Sequence, residues 1–280
     1  DEAGTGFNTA VCSNNNDNFA HNNQIDSITQ DNNADASDPG DDTVQSNFVG
    51  IVQDLQLANV CDETGLGDNG ALCSNDIISN DGNNVVGPVS QSNNPQGSGD
   101  ADFTQNNNIP TITQVINAQN DCDQSDEQTA SGDNNAICTN DDVVNDIDSI
   151  TQDNDATGTH VDDIFQDNTG SFSQIMTLNN GCDATTFTDS GDNDAQCTND
   201  LATNNIDDVD QTNTATGGDD VLIDQDNNVA VSQAITGNND CDSTAGNDAV
   251  CDNNVLINDV FDITQTNDAT GDGFAQILQG

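Results

Sequence analysis

Apolar and polar residues alternate along this chain with a spacing of two, and the alternation recurs. Ile28, Val89, Ile150, Val209 and Ile263 each stand two residues before a glutamine: Gln30, Gln91, Gln152, Gln211 and Gln265. Two residues after each glutamine comes Asn32, Asn93, Asn154, Asn213 or Asn267, and two further on a small residue, Ala34, Pro95, Ala156, Ala215 or Ala269. Side chains two apart share one face of a β-strand, so one face reads apolar, Gln, Asn, small. A second series repeats the motif with Gln45, Gln105, Gln166 and Gln225, followed by Asn47, Asn107, Asn168 and Asn227, and mostly preceded by Phe103, Ile164 and Ile223. A third series, Gln53, Gln114, Gln174, Gln233 and Gln276, has apolar residues on both sides: Ile51, Ile112, Phe172, Val231 and Phe274 before, and Leu55, Ile116, Met176, Ile235 and Leu278 after. That strand is expected to be the most hydrophobic of each unit.

The series advance together in steps of about 60 residues, which marks a stacked array in which each unit repeats one backbone course and buries its face on its neighbours. The approximate units are 1–72, 73–137, 138–196, 197–250 and a shortened 251–280. The spacing between Gln265 and Gln276 suggests that the last unit lacks its middle strand. Equivalent strands stacked about 4.8 Å apart bring like side chains over one another, and Gln or Asn amides then donate and accept along the stack. A buried amide is costly unless both of its functions are bonded, and a ladder meets that need. Turn formers such as Asp38-Pro39-Gly40-Asp41, Gly97-Ser98-Gly99-Asp100 and Gly217-Gly218-Asp219-Asp220 separate the strands. The expected fold is therefore all-β: a tandem-repeat β-solenoid or stacked β-arches with inward Gln/Asn ladders and disulfide-closed corner loops.

Nine cysteines follow the same period. Cys12, Cys73, Cys138, Cys197 and Cys251 form one series, and Cys61, Cys122, Cys182 and Cys241 a second. Adjacent members bracket short polar loops, so the simplest pairing is Cys61–Cys73, Cys122–Cys138, Cys182–Cys197 and Cys241–Cys251, with Cys12 unpaired or bridged to another chain. Pairing Cys12 with Cys61 and Cys73 with Cys122 remains open, since equivalent cysteines stack. The spacing fits an oxidising compartment and no zinc site: there is no C-x-x-C, and neither His21 nor His160 accompanies a cysteine cluster. The segment from Asp1 to Cys12 parallels that from Asp62 to Cys73. With no apolar leader before Asp1, the chain reads as a secreted, processed form.

Composition narrows the partners. Lys and Arg are absent against 51 acidic residues, giving a formal charge of −51, which excludes nucleic acid as a direct partner. No apolar run is long enough to span a membrane. Asp and Asn together make up a third of the chain, which disfavours long helices. Asp doublets recur between strands, at Asp41-Asp42, Asp141-Asp142, Asp162-Asp163, Asp207-Asp208 and Asp219-Asp220, and without basic partners they are weak candidates for Ca²⁺. Neither G-x-S-x-G nor H-E-x-x-H occurs, the two histidines fall at different places in their units, and no enzymatic activity is expected. There is no N-x-[ST] acceptor despite 45 Asn.

The strands ITQDNNA from Ile28, ITQDNDA from Ile150, VDQTNTA from Val209 and ITQTNDA from Ile263 resemble curlin repeats. That resemblance implies inward Gln and Asn ladders in an extracellular amyloid-like fibre. The long unit, the cysteines and the acidity are more similar to the amyloid-like sheath subunits of methanogenic archaea, which implies polymerisation into an envelope around cells. The expected role is an extracellular structural protein that assembles with itself through chain ends and strand edges into a sheath, fibre or surface layer. The alternative is a monomeric Ca²⁺-dependent adhesin or ligand-binding solenoid.

Overall fold

The computed structural model describes residues 8–15, 23–36, 42–65, 69–76, 84–98, 102–126, 134–141, 143–159, 163–185, 193–218, 221–243, 249–271 and 275–280, and of Cys12 and Cys73 it describes the main chain alone. Among the described residues every regular element is a strand, and these strands fall into five rungs. The first rung comprises β1 (Asn8–Asn15), β2 (Asn23–Ile25), β3 (Ile28–Ala36) and β4 (Thr43–Gly65). The second comprises β5 (Asn69–Asp76), β6 (Asn84–Val86), β7 (Val89–Ser98) and β8 (Asp102–Asp126), and the third β9 (Asn134–Asp141), β10 (Val143–Ile147), β11 (Ile150–Thr159) and β12 (Asp163–Thr185). In the fourth, β13 (Asn193–Gly217) runs unbroken and is followed by β14 (Leu222–Ser243). The fifth has β15 (Ala249–Gly271) and the short β16 (Gln276–Gln279).

Each rung is a β-arch. Its outgoing course lies in an 11-stranded sheet, and its return course (β4, β8, β12, β14 or β16) lies in a five-stranded sheet facing the first. Pairing between rungs is parallel and in register: Gln30 opposes Gln91, Gln91 opposes Gln152, Gln152 opposes Gln211, and Gln211 opposes Gln265. Parallel sheets need both faces protected or a strongly patterned inner face, and here the two sheets protect each other's inner face.

The inner space is striped. Four apolar clusters run parallel to the stack: a cysteine and alanine corner, a Leu/Ile/Met cluster around Ile116 and Met176, a Val/Ile/Phe cluster around Ile112, Ile147 and Phe172, and a cluster of Phe103, Ile164 and Ile223 against alanines. Rows of buried amides separate them. The apolar stripes supply the hydrophobic driving force, while the amide rows fix register, because a slip by one residue would bury an Asp or Thr in place of an amide.

Two local irregularities shift the phase. Val86 and Val89, Ile147 and Ile150, and Ile206 and Val209 are all buried although three residues apart. The intervening Gly87-Pro88, Asp148-Ser149 and Asp207-Asp208 form a corner at which the inward face changes parity. Main-chain bonds continue through it between rungs, from Val89 N–H to Ser149 O (3.0 Å) and from Asp148 N–H to Val86 O (2.9 Å). A Cβ on Gly87 would run into the Asp26 carbonyl, so the second rung needs glycine there for close approach, whereas the third and fourth rungs hold Asp148 and Asp207 at the same position. The second irregularity is a bulge in β8: register shifts relative to β4 between Phe48 and Gly50, and relative to β12 between Gly170 and Phe172. Gln105 and Gln114 are nine residues apart where the other rungs have eight, and the extra residue falls beside Pro110, which has no N–H to contribute to the ladder.

One expectation is corrected at the C-terminal end. Gln276 does not join the third glutamine series. It lies opposite Leu222, and Gln279 lies opposite Gln225. The last rung therefore does not lack a middle strand. Its return course is the second-series strand, and the alternation seen around Gln276 in the sequence misled because Phe274, Gln276 and Leu278 repeat the apolar–Gln–apolar spacing one strand early.

Candidate functional site: amide columns and the cysteine corner

The sheets convert the repeated glutamines and asparagines into columns. In the first series Gln91 Nε2 donates to Gln30 Oε1 (2.9 Å), Gln152 to Gln91 (2.9 Å), Gln211 to Gln152 (2.7 Å) and Gln265 to Gln211 (2.8 Å). The second runs from Gln166 to Gln105, Gln225 to Gln166, and Gln279 to Gln225. Its first step is missing: Gln105 Nε2 turns to the carbonyls of Asn93 (2.7 Å) and Asp155 (3.4 Å). Gln45 Oε1 is accordingly the one buried side-chain polar atom without a hydrogen bond among the described residues. The third column joins Gln114 to Gln53, Gln174 to Gln114, and Gln233 to Gln174.

The asparagines beside them cross between sheets. Asn32, Asn47, Asn93, Asn107, Asn154, Asn168, Asn213, Asn227 and Asn267 form one unbroken zigzag, each Nδ2 donating to the next Oδ1 at 2.9 to 3.1 Å. Within each strand series the same Nδ2 also reaches the next rung, as from Asn93 to Asn154 (2.9 Å).

Three further columns were not singled out in the sequence. Asn23, Asn84, Asn145, Asn204 and Asn258 donate in succession at 2.8 to 2.9 Å. Asn59, Asn120, Asn180 and Asn239 make a second column, and Asn140, Asn199 and Asn253 a third. Each has a fixed sequence offset that identifies it: seven residues before a first-series glutamine, two before a second-series cysteine, or two after a first-series cysteine.

The columns have a direction. Every Asn column donates toward the later rung, and every Gln column toward the earlier one. Facing main chain fixes these orientations, because the same amide nitrogens also donate to carbonyls, as from Gln174 to Asn205 O (2.7 Å), Asn107 to Asp153 O (3.0 Å) and Asn120 to Thr139 O (3.0 Å). A flipped amide would set oxygen against oxygen.

At the far end of the arch the cysteines also form two columns. Cys12, Cys73, Cys138, Cys197 and Cys251 are in register, as are Cys61, Cys122, Cys182 and Cys241. Disulfides join Cys122 to Cys138, Cys182 to Cys197, and Cys241 to Cys251, with Cα separations of 6.5, 6.2 and 6.3 Å. Cys61 is also disulfide-bonded. The sulfurs of Cys138, Cys182 and Cys197 lie within 4.8 Å of one another. All three are oxidised, so none offers the thiolate a soft metal requires.

The acidic candidates are scattered. Asp41, Asp142, Asp162, Asp219 and Asp220, like His21 and His160, lie outside the described residues. Asp42 accepts from Asp102 N–H (3.3 Å) at the start of the return course, Asp163 stands at the start of β12, Asp141 at the end of β9, and Asp207 and Asp208 at the mid-course corner of β13. The described doublet members thus occupy three separate places.

A denser acidic set is Asp123, Asp183 and Asp242, in register on the outer face, with Asp121 and Asp240 either side of Gly181. Burial, followed by the charges of Asp242, Asp240 and Asp121, raises the Asp183 carboxyl above its ordinary value. Asp146 and Asp153 are raised chiefly by burial.

No family model, no curated protein and no solved structure matches this chain. Among the described residues, no helix is long and apolar enough to cross a membrane.

Proposed function

We propose that the chain is a structural subunit, without catalytic function, whose copies stack rung on rung into an extracellular sheath, fibre or surface layer of the curlin or archaeal-sheath kind. The observation that carries this reading is the set of directional amide columns. Each ends at an open rung edge, where strand N–H and C=O groups and amide donors and acceptors face outward together. A second copy added in the same sense would accept from the Asn columns and donate to the Gln columns, continuing both. A copy added in the opposite sense would set like groups against each other. Head-to-tail contacts of this kind do not close on themselves and produce extended polymers. Divalent cations, with Ca²⁺ the leading candidate, are the proposed counter-ions for the acidic outer face.

The test separates folding from stacking. Asn253 and Asn258 accept at 2.7 and 2.8 Å from Asn199 and Asn204. The double substitution Asn253→Asp and Asn258→Asp keeps those acceptors and removes the onward donors. The wild-type chain should form ordered assemblies with a meridional reflection near 4.8 Å. The variant should keep the wild-type circular dichroism and stay dispersed. Assembly of the variant at the wild-type rate would overturn this reading.

A further inference from the structure

We propose that the cysteine corner is a thiol relay, in which one unpaired sulfur passes from the first rung to the fifth by successive disulfide exchange within a single chain. The count supplies the sulfur. Nine cysteines cannot all pair within one chain. Six are joined to one another and Cys61 is bonded as well. By count one cysteine is therefore left over, and Cys12 and Cys73, whose side chains lie outside the described residues, are the two that the observed bonds leave unassigned.

Geometry supplies the path. Each observed disulfide joins a return-course cysteine to the outgoing-course cysteine of the next rung. The competing partner, in the same rung, lies farther off than the bonded one but within contact range where the third and fourth rungs meet. Cys138 Sγ is within 4.8 Å of both Cys182 and Cys197. The asparagines two residues away make both kinds of link. Asn120 donates to Asn140 of the next rung at 3.1 Å, and Asn140 to Asn180 of its own rung at 3.0 Å. Asn180 then donates to Asn199 at 3.1 Å, and Asn199 to Asn239 at 3.0 Å. What the amides do with hydrogen bonds the sulfurs can do with covalent bonds, one link at a time.

The steps balance without an oxidant or reductant. If Cys12 holds the thiolate, it attacks Cys61, forming Cys12–Cys61 and releasing Cys73 as thiolate. Cys73 attacks Cys122 and releases Cys138, Cys138 attacks Cys182 and releases Cys197, and Cys197 attacks Cys241 and releases Cys251. Every step forms one S–S bond and breaks one, and the thiolate always returns to the first column. The interior cysteines are fully buried beside alanines, which disfavours thiolate and slows the relay toward the minutes-to-hours range of uncatalysed disulfide rearrangement. Cys251, in contrast, is exposed, so a thiol arriving there is open to reaction. The relay is a property of one chain and does not depend on the stacking proposed above.

The experiment uses the oxidised full-length chain at pH 8 without added thiol or disulfide. Aliquots are acid-quenched, alkylated with N-ethylmaleimide, cut with an Asp-specific protease and mapped without reduction. The expected result is one label per chain throughout, spreading with time from the Cys12 and Cys73 end to Cys251. At equilibrium Cys251 should carry roughly a fifth of the label if the five positions are equal in energy. Cys138–Cys182 and Cys197–Cys241 linkages should appear in step, at a rate independent of protein concentration. Label that stays at the first rungs while the three observed disulfides persist unchanged would overturn the proposal, as would a rate proportional to concentration. Replacing Cys122 and Cys138 together by Ser interrupts the path, and in that variant Cys251 should remain unlabelled. Labelling there at the wild-type rate would also overturn it. The wild-type time course decides the matter even if this variant does not fold.

Discussion

A buried asparagine in this fold serves as both donor and acceptor in a network that spans all five rungs. Asn154 accepts from Asn93 (2.9 Å) and Asn107 (3.0 Å) and donates to Asn168 and Asn213 (both 3.0 Å). An unmade hydrogen bond at a buried group costs on the order of 1–3 kcal/mol. Asn154→Ala strips partners from four other amides at once and should destabilise the chain by about 3 kcal/mol. Asn238 provides the comparison, since it bonds its neighbour Asn179 at 2.9 Å on the exposed face, where water can replace the lost partner. Asn238→Ala should cost less than about 0.5 kcal/mol. Denaturant titrations of the two variants check the contrast, and equal losses would mean that the inner columns contribute no more than solvated ones.

At the scale of the strand, β8 departs from its neighbours by a single residue. Deleting Pro110 would restore the eight-residue spacing between Gln105 and Gln114, with Ile109 and Ile112 kept on the inner face in step with Val49 and Ile51 of β4. The bulge should close and the ladder to β4 and β12 should regain a main-chain bond, raising stability by on the order of 1 kcal/mol. Calorimetry of the deletion variant checks this, and a lower melting temperature would show that the bulge relieves strain. The strands and their inward glutamines were legible in the sequence because spacing two is itself the strand repeat. The column of Asn84, Asn145 and Asn204 was less legible: the corner at Gly87-Pro88 and its equivalents reverses parity, so an odd offset of seven separates residues that share a face. Gln276 shows the opposite failure, a correct local pattern assigned to the wrong strand, because nothing local distinguishes one apolar–Gln strand from the next. The cysteine columns were visible as two series, but exchange between alternative partners depends on sulfur separations that only the stacked rungs define.

For the whole molecule the dominant electrostatic fact is a formal charge of −51 with no Lys or Arg to offset it. Parallel register places carboxylates over one another, as with Asp123, Asp183 and Asp242, so folding brings like charges closer than they are in the open chain. Asp146, Asp153 and Asp183 have raised carboxyl pKa values, chiefly through burial. The sign of the pH dependence follows directly. A carboxyl whose folded pKa exceeds its unfolded one binds its proton more tightly in the native state, so stability increases as pH falls through the folded pKa. The gain levels off once the unfolded carboxylates, near pH 4, are protonated as well. The melting temperature should therefore rise as pH is lowered from 7 toward about 4, the reverse of ordinary acid denaturation, in which carboxylates paired with cations are protonated and those ion pairs are lost. Raising ionic strength at pH 7 should act in the same direction by screening the outer face. If Ca²⁺ is the natural counter-ion, millimolar Ca²⁺ should raise the melting temperature beyond what NaCl of equal ionic strength achieves, and chelation should reverse the excess. Calorimetry across pH, NaCl and CaCl₂ distinguishes these terms. A melting temperature that falls on acidification would show that ionised carboxylates stabilise this fold, and a Ca²⁺ effect no larger than that of NaCl would leave screening alone to carry the charge.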